Sequence, residues 1–172
     1  MSFWKKSLHF IWILTCLLTK MSILGVDYGD KNIGVAVSCP SKLTALGVQT
    51  IRRGSPDSFK QPILILREIM RRYCVSALVL GYPKNMDGSE GERCAKTLEF
   101  KARLQRNFKS LDIVLWDERL TTLSEKRTMV QLGLDKKTIS LNIDEASAMC
   151  ILQGYLDYIN HKKDKEGVFW TN

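Results

Sequence analysis

The stretch Ile23-Leu24-Gly25-Val26-Asp27-Tyr28-Gly29-Asp30-Lys31-Asn32-Ile33-Gly34-Val35-Ala36-Val37 decides the fold of this chain. An apolar run ends at the carboxylate of Asp27, a turn rich in Gly, Asp and Asn follows, and a second apolar run leads back. This pattern predicts a β-hairpin whose first strand delivers Asp27 to the end of a sheet. Gly29 removes the Cβ beside the carboxylate, which lets backbone amides approach an anion or a metal-bound phosphate. An ordinary hairpin with a solvated turn fits the same residues, so the positions of the other carboxylates must decide between the two interpretations.

The length and charge of the chain indicate one basic globular domain. With 172 residues, 45% of them hydrophobic and 26% charged, the chain can bury a core of its own. The formal net charge is +8. Three lysines and no acid lie in residues 1–20, so residues 21–172 carry +5. A basic domain suits a polyanionic partner such as nucleic acid.

The five cysteines are odd in number, widely spaced and without a Cys-x-x-Cys pair. This pattern argues against a disulfide framework or a zinc site. We expect buried thiols, as in a protein of the reducing cytoplasm.

Residues 1–20 differ from the rest of the chain. Lys5 and Lys6 precede an apolar run from Leu8 to Leu18, as in a signal peptide, but no small-x-small cleavage site follows. The run is also shorter than the roughly 20 residues that span a bilayer. We predict a dispensable leader or a physiological start at Met21, with a membrane-surface anchor as the alternative and no stable membrane association expected. The folded domain would span 21–161, followed by a charged tail over 162–172.

Strand and helix patterns alternate after the hairpin. They predict, in order, a strand from Leu46 to Ile51, a helix capped by Asp57 or Ser58 and ending near Tyr73, a strand from Ala77 to Gly81, a helix from Glu92 to Lys109, a strand from Ile113 to Trp116, a helix from Thr121 or Thr122 to Gly133, and a last helix from Asp144 to a frayed tail at His161. This order implies an α/β sandwich with a mixed sheet, in which ligands gather outside the carboxyl ends of the strands.

Carboxylates occupy three of the predicted ends: Asp27, the Asp117-Glu118 pair and Asp144. The two histidines lie in the leader and the tail, which makes histidine-dependent catalysis and His-ligated zinc improbable. No glycine-rich phosphate loop of either common type is present. Converging carboxylates select Mg²⁺ or Mn²⁺, and two such ions can hydrolyse a phosphodiester. The alternative is that Asp144 only favours its helix N-terminus, by under about 1 kcal/mol, and that the pair is solvated.

Four motifs stand in order and together resemble one family. They are Asp27-Tyr28-Gly29 with Lys31-x-x-Gly34-x-Ala36; Gly81-x-Pro83-x-Asn85-Met86-Asp87-Gly88-Ser89-Glu90-Gly91; Asp117-Glu118-Arg119-Leu120-Thr121; and Asp144-x-x-x-Ala148 with Ile151-Leu152-Gln153-x-Tyr155-Leu156. Over about residues 21 to 160 the chain is similar to the YqgF/RuvX family of pre-16S rRNA nucleases, also described as Holliday junction resolvases.

The resemblance implies a ribonuclease H-like fold, with a mixed five-stranded sheet flanked by helices on both faces, and metal-dependent phosphodiester hydrolysis. Asp27 and Asp144 would ligate Mg²⁺ or Mn²⁺. Glu118, or alternatively Asp117, would be the other ligand, since neighbours on a strand point to opposite faces. All four acids are therefore candidate catalytic residues.

The resemblance also indicates substrate-binding residues. Lys31 and Arg119 would contact phosphates, and Asn85, Asp87, Gly88 and Ser89 would form a loop bordering the cleft, unless that loop is only a tight turn. Further basic clusters would follow a nucleic-acid backbone or form solvated faces: Arg52-Arg53, Arg67, Arg71-Arg72, Lys126-Arg127 and Lys136-Lys137.

Three functions remain open from the sequence. A ribosomal RNA precursor is the favoured substrate, and a four-way DNA junction is the alternative, which would require a dimer for symmetric cleavage. The chain would be a monomer or a homodimer. The third possibility is an ATP-binding module of the actin and sugar-kinase superfamily, but this chain is too short for the two lobes of such proteins.

Overall fold

Five strands form one mixed sheet in the order β3-β2-β1-β4-β5. The structure is a computed structural model and describes residues 21–55, 58–120 and 143–165. Its strands are β1 (Ser22–Tyr28), β2 (Asn32–Ser38), β3 (Ala45–Arg52), β4 (Val75–Tyr82) and β5 (Asp112–Asp117), and its helices are α1 (Lys60–Arg72), α2 (Glu92–Asn107) and α3 (Ile143–Lys165). The predicted α/β class and mixed five-stranded sheet are confirmed.

The central strand β1 places Asp27 at the edge where ligands are expected. The predicted hairpin is present, because β1 and β2 pair antiparallel with Asp27 opposite Gly34. On its other side β1 is parallel to β4, and β4 is parallel to β5 with Tyr82 opposite Asp117. The carboxyl ends of β1, β4 and β5 therefore lie along one edge of the sheet.

Alternation along β1 builds two separate cores. Leu24, Val26 and Tyr28 belong to the larger core, which Phe100 and Leu104 of α2 complete. Ile23 belongs to the smaller core, which α3 covers. Because neighbouring strand residues point to opposite faces, Asp27 shares the face of Ile23 and Gly25, beneath α3.

Helix α1 begins later than the sequence predicted. Its N-cap is Phe59, which makes no side-chain cap hydrogen bond, so the predicted cap at Ser58 is wrong, and the alternative cap, Asp57, lies outside the described residues. Pro62 is accommodated because it lies in the first turn, where a backbone N–H has no intrahelical partner. Ile63, Leu66 and Ile69 recur at helical spacing and are buried against the sheet.

Helix α3 lies directly on glycines of the sheet. A Cβ at Gly34 would overlap the carbonyl oxygen of Asp144, and one at Gly25 would lie 2.6 Å from the Cβ of Leu152. Real Cβ atoms do not approach that closely, so only glycine at these positions allows α3 its present height above the sheet. The helix continues to Lys165, past the point near His161 where we predicted a frayed tail.

Several predictions lie outside the described residues. They concern the leader over 1–20, the helix from Thr121 or Thr122 to Gly133, and the basic pairs at 126–127 and 136–137. Within the described part, no helix is long and apolar enough to cross a membrane. Cys94 and Cys150 are buried thiols as expected and Cys39 is a partly buried thiol, whereas Cys74 is disulfide-bonded, so the prediction of a thiol is wrong there.

Candidate active site

Asp27 is a half-buried carboxylate near the end of the central strand. Its pKa is raised above the usual value, mainly because burial removes water from the charged form. The negative charge of Asp144 raises the pKa further, while the charge of Arg93 and a hydrogen bond from Ser147 lower it. Two carboxylates are thus brought together under α3, where the charge of Asp144 disfavours ionisation of Asp27.

Asp144 is held in place from below by the hairpin. Its Oδ2 accepts a hydrogen bond of 2.8 Å from Nδ2 of Asn32, at the start of β2. The glycine at position 34 lets the first turn of α3 sit against the strand. In that first turn the helix dipole favours a negative charge, so the fold stabilises the Asp144 carboxylate beside Asp27.

The Asp117-Glu118 pair divides into two roles. Asp117 accepts four hydrogen bonds from Arg119: Nε donates at 3.0 and 3.1 Å, Nη2 at 2.7 Å and the backbone N–H at 3.0 Å. Hydrogen bonding to this guanidinium lowers the pKa of Asp117. Glu118 instead places Oε1 only 2.5 Å from where a Cβ of Gly81 would lie, with Ile151 of α3 beside it. Glu118 therefore points to the same face as Asp27, and Asp117 is occupied by its arginine.

The acidic side chains are of the type that binds a hard divalent cation, but they do not surround a common point in this structure. Carboxylate oxygens are the ligands that Mg²⁺ and Mn²⁺ prefer, and the mutual repulsion of Asp27 and Asp144 is the kind that a cation relieves. Among the residues that the structure describes, no group of three His, Cys, Asp or Glu side chains is close enough to hold a metal ion. The chemistry of these carboxylates fits a metal ion, and two of the candidate ligands, Asp27 and Asp144, already lie close together.

The loop between β4 and α2 is closed by its own polar side chains. Asn85 Nδ2 donates to Ser89 Oγ at 2.9 Å, and Ser89 donates to Asp87 Oδ1 through both Oγ, at 2.6 Å, and its backbone N–H, at 2.9 Å. Gly88 adopts φ +89°, which favours glycine. A Cβ there would lie 3.3 Å from Nη1 of Arg119. The three polar residues predicted to bind substrate thus shape a loop beside Arg119, with Met86 91% exposed.

Two basic residues predicted to contact nucleic acid, Lys31 and Arg53, differ in their exposure. Lys31 is exposed in the turn, and its carbonyl accepts a hydrogen bond from the backbone N–H of Arg53. Arg53 itself is only 8% exposed, so the suggestion that it follows a nucleic-acid backbone or lies on a solvated face is wrong. Its Nη1 donates to Tyr28 Oη at 2.9 Å and to the carbonyl of Gly29 at 3.0 Å. Arg53 therefore fixes the two residues that follow Asp27.

Sequence reasoning missed three residues that act on the acids: Asn32, Arg93 and Ser147. Ser147 follows Asp144 by three positions, so helical periodicity puts both on one face, and this signal was available. Asn32 was counted only as a turn former. Arg93 lies one residue into α2, and nothing in its sequence neighbourhood relates it to β1.

These features define the class of fold as ribonuclease H-like, with an acid on the central strand. Two solved structures of RuvC from Thermus thermophilus share the fold. The one in complex with Holliday junction substrate is 14% identical, with a TM-score of 0.58, and the match covers 82% of this chain and 96% of that one. The other is 12% identical, with a TM-score of 0.54, covering 83% and 97%.

The particular family is settled by sequence. The family model RuvX, described as Holliday junction resolvase, matches residues 21–158. Curated relatives named "Putative pre-16S rRNA nuclease" include one from Agathobacter rectalis, 46% identical over 83% of this chain and 99% of its own. Another, from Acetivibrio thermocellus, is 43% identical over 80% and 96%. The chain belongs to the RuvX family, and the predicted resemblance is confirmed.

Proposed function

We propose that this chain is a divalent-metal-dependent nuclease that hydrolyses phosphodiester bonds in a precursor of 16S rRNA. The observation that carries the proposal is the placement of the Asp27 carboxylate beside Asp144 under the first turn of α3, where burial, and then the charge of Asp144, raise the pKa of Asp27. A fold gains nothing in stability by holding two carboxylates together unless a cation joins them. Membership of the RuvX family supports the class of reaction.

The metal would be Mg²⁺ or Mn²⁺, held by Asp27, Asp144 and Glu118. When bound, such ions activate a water molecule and stabilise the leaving oxygen of a phosphodiester. Glu118 is the preferred partner over Asp117, because its carboxylate lies on the face of Asp27 and Asp117 is bonded to Arg119. Asn32 and Ser147 would orient the two paired carboxylates through their hydrogen bonds.

The cationic side chains around the acids would hold the substrate. Arg93 already interacts electrostatically with Asp27, and Arg119 is aligned by Asp117 beside the loop of Gly88. Lys31 lies exposed in the hairpin turn. Guanidinium groups held in one orientation suit the geometry of phosphate oxygens. We assign to these three residues the binding of the phosphates on either side of the scissile bond.

The substrate is proposed from the relatives' name, which specifies pre-16S rRNA. A four-way DNA junction is the second candidate, because the family model carries the description Holliday junction resolvase. The two substrates differ in what they require of the protein, since symmetric cleavage of a junction needs two active sites related by a two-fold axis.

A cleavage assay tests the proposal. Purified protein is offered a labelled 16S rRNA precursor and a four-way DNA junction, with Mg²⁺, with Mn²⁺ or with EDTA. We expect cleavage of the RNA that EDTA abolishes and that Asp27→Asn reduces below detection, because the neutral amide is a poor ligand for a hard cation.

Asp30→Asn is the matched control for that variant. Asp30 lies in the same turn but is exposed, and it pairs with Lys96 at 3.3 Å on the surface. Loss of its charge should leave cleavage within a few-fold of the unmodified protein. Full activity in Asp27→Asn would refute the assignment of the site. Cleavage of the junction alone would replace the RNA proposal with the DNA one.

A further inference from the structure

A basic groove runs between α1 and α2, on the sheet face opposite to α3. Its volume is about 450 Å³. The eight residues that line it include four cations and no carboxylate: Lys60, Arg67, Arg103 and Arg106 are the cations. Arg103 is paired with Glu99, which lies outside the lining, but the other three cations repel one another, and an anion between them would reduce that repulsion. The groove is therefore electrostatically suited to an anionic ligand.

The groove begins at the same edge of the sheet as the candidate active site. Arg52, the last residue of β3, pairs with Asn32 at the start of β2, so α1 starts beside the hairpin turn. Phe59 lines this end of the groove, and its ring stacks 6.5 Å from the ring of Tyr28, the neighbour of Asp27. From there Lys60 and Arg67 lie two helical turns apart, about 10 Å along α1. Lys60 and Arg67 thus extend the positive charge away from the catalytic edge along α1.

Three of the four cations are held in fixed orientations. Arg103 lies over the Phe59 ring at 4.1 Å and donates two hydrogen bonds to Glu99, and Arg67 lies 5.5 Å from the centre of the Phe108 ring. Arg106 donates to the carbonyl of Ala102 at 3.3 Å. Guanidinium groups that are already ordered lose less conformational entropy when they bind a phosphate.

We propose that this groove binds backbone phosphates of single-stranded RNA, on one side of the bond that is cut. The inference rests on the proposed nuclease function for its choice of RNA. It places part of the binding energy outside the cleft, so a long RNA should bind better than a short one. Recognition would be mainly by charge and not by base, since the groove offers arginines, one lysine, apolar side chains and one amide, Asn107, whose Nδ2 already donates to the carbonyl of Arg103.

The test measures binding without divalent metal, so that it does not depend on cleavage. Fluorescence anisotropy gives the affinity for a single-stranded RNA of about 20 nucleotides, and for one of about 4, at several salt concentrations. In the triple variant Lys60→Gln, Arg67→Gln, Arg106→Gln, we expect the slope of log affinity against log salt for the long RNA to fall by about 2, since each phosphate contact contributes about 0.7. The affinity of the short RNA should fall less, because it offers fewer phosphates to the groove.

The control variant removes the same charge elsewhere. Lys42→Gln, Lys163→Gln, Lys165→Gln alters one partly buried and two exposed lysines at the opposite end of the sheet, where Asn160 Nδ2 donates to the carbonyl of Lys42. An equal loss of salt dependence in both triple variants would overturn the proposal, because the change in net charge alone would explain it. Unchanged salt dependence in both variants would also overturn the proposal. Restored salt dependence in Lys60→Arg, Arg67→Lys, Arg106→Lys is expected if charge is what binds. Because binding is read without cleavage, failure of the nuclease proposal leaves this result interpretable.

Discussion

At the scale of single residues, the two neighbouring acids at the end of β5 differ in their contacts. Glu118 turns its carboxylate over Gly81, towards the face that carries Asp27, whereas Asp117 is tied to Arg119 by bonds of 2.7 to 3.1 Å. The adjacent positions differ because one belongs to a strand and the other to the turn that follows it. The sequence left both acids open as ligands, since it could not show which one the arginine would bind.

Glu118→Gln and Asp117→Asn should therefore differ in activity. We expect Glu118→Gln to lower kcat by more than about 100-fold, as loss of a direct metal ligand exceeds the loss of a supporting contact. Asp117→Asn should lower kcat about fivefold or less, because a partly exposed ion pair is worth about 0 to 1 kcal/mol. Single-turnover kinetics on the precursor RNA measures both. Equal losses would show that Asp117 acts in the chemistry.

At the scale of elements, the approach of α3 to the sheet determines whether the acids meet. Gly34 removes the side chain that would strike the carbonyl oxygen of Asp144, and Asn32 bonds the Asp144 carboxylate two residues earlier in the same strand. The hairpin thus positions the helix, and the helix positions the second acid. Neither contact is local in sequence, since 112 residues separate Asn32 from Asp144.

Gly34→Ala should push α3 off the sheet. The new Cβ meets backbone and not a flexible side chain, so we expect a loss of about 1–3 kcal/mol in the free energy of unfolding, as for other overpacked sites. Activity should fall more steeply than stability, because the shift separates Asp144 from Asp27. Urea unfolding and the cleavage rate measure the two effects.

Gly54→Ala provides the control for that substitution. A Cβ at Gly54 would meet no atom within 4 Å, and the residue follows β3 in open space. We expect neither stability nor activity to change appreciably. If Gly34→Ala behaved like Gly54→Ala, the close contact between α3 and the sheet would have no part in forming the site.

The elements themselves were predictable because their signals are local. The hairpin, β4 and β5 follow apolar runs, and Glu92 at the start of α2 follows a turn-rich loop, so these were found within two or three residues. The helix cap at α1 was mispredicted because Ser58 makes a turn with Ser55 instead. Asp27 and Asp144 were found as acids at element ends. The contacts that support these two acids were not found, because a contact between residues far apart in the sequence produces no periodic pattern in it.

At the scale of the whole molecule, Arg53 connects the larger core to the catalytic edge. Its guanidinium lies 4.9 Å from the ring centres of both Tyr28 and Phe59, and those rings stack with Phe100 in the core. The same side chain bonds the Gly29 carbonyl in the turn after Asp27. The sequence predicted only a basic pair at 52–53. Burial of one member follows from the end of β3, where successive residues face opposite sides.

Arg53→Gln should weaken both the core and the site. The shorter amide cannot reach Tyr28 and Gly29 together, so a buried hydroxyl loses a charge-assisted hydrogen bond, which costs about 1.5–3 kcal/mol. The turn after Asp27 would also be less fixed, and kcat should fall while binding of RNA changes little. Arg52→Gln is the matched control, since Arg52 is exposed and carries the same charge. Thermal unfolding, kcat and RNA affinity should change little in that variant. Equal effects of the two substitutions would mean that the charge at this edge, and not the buried contacts of Arg53, determines stability and kcat.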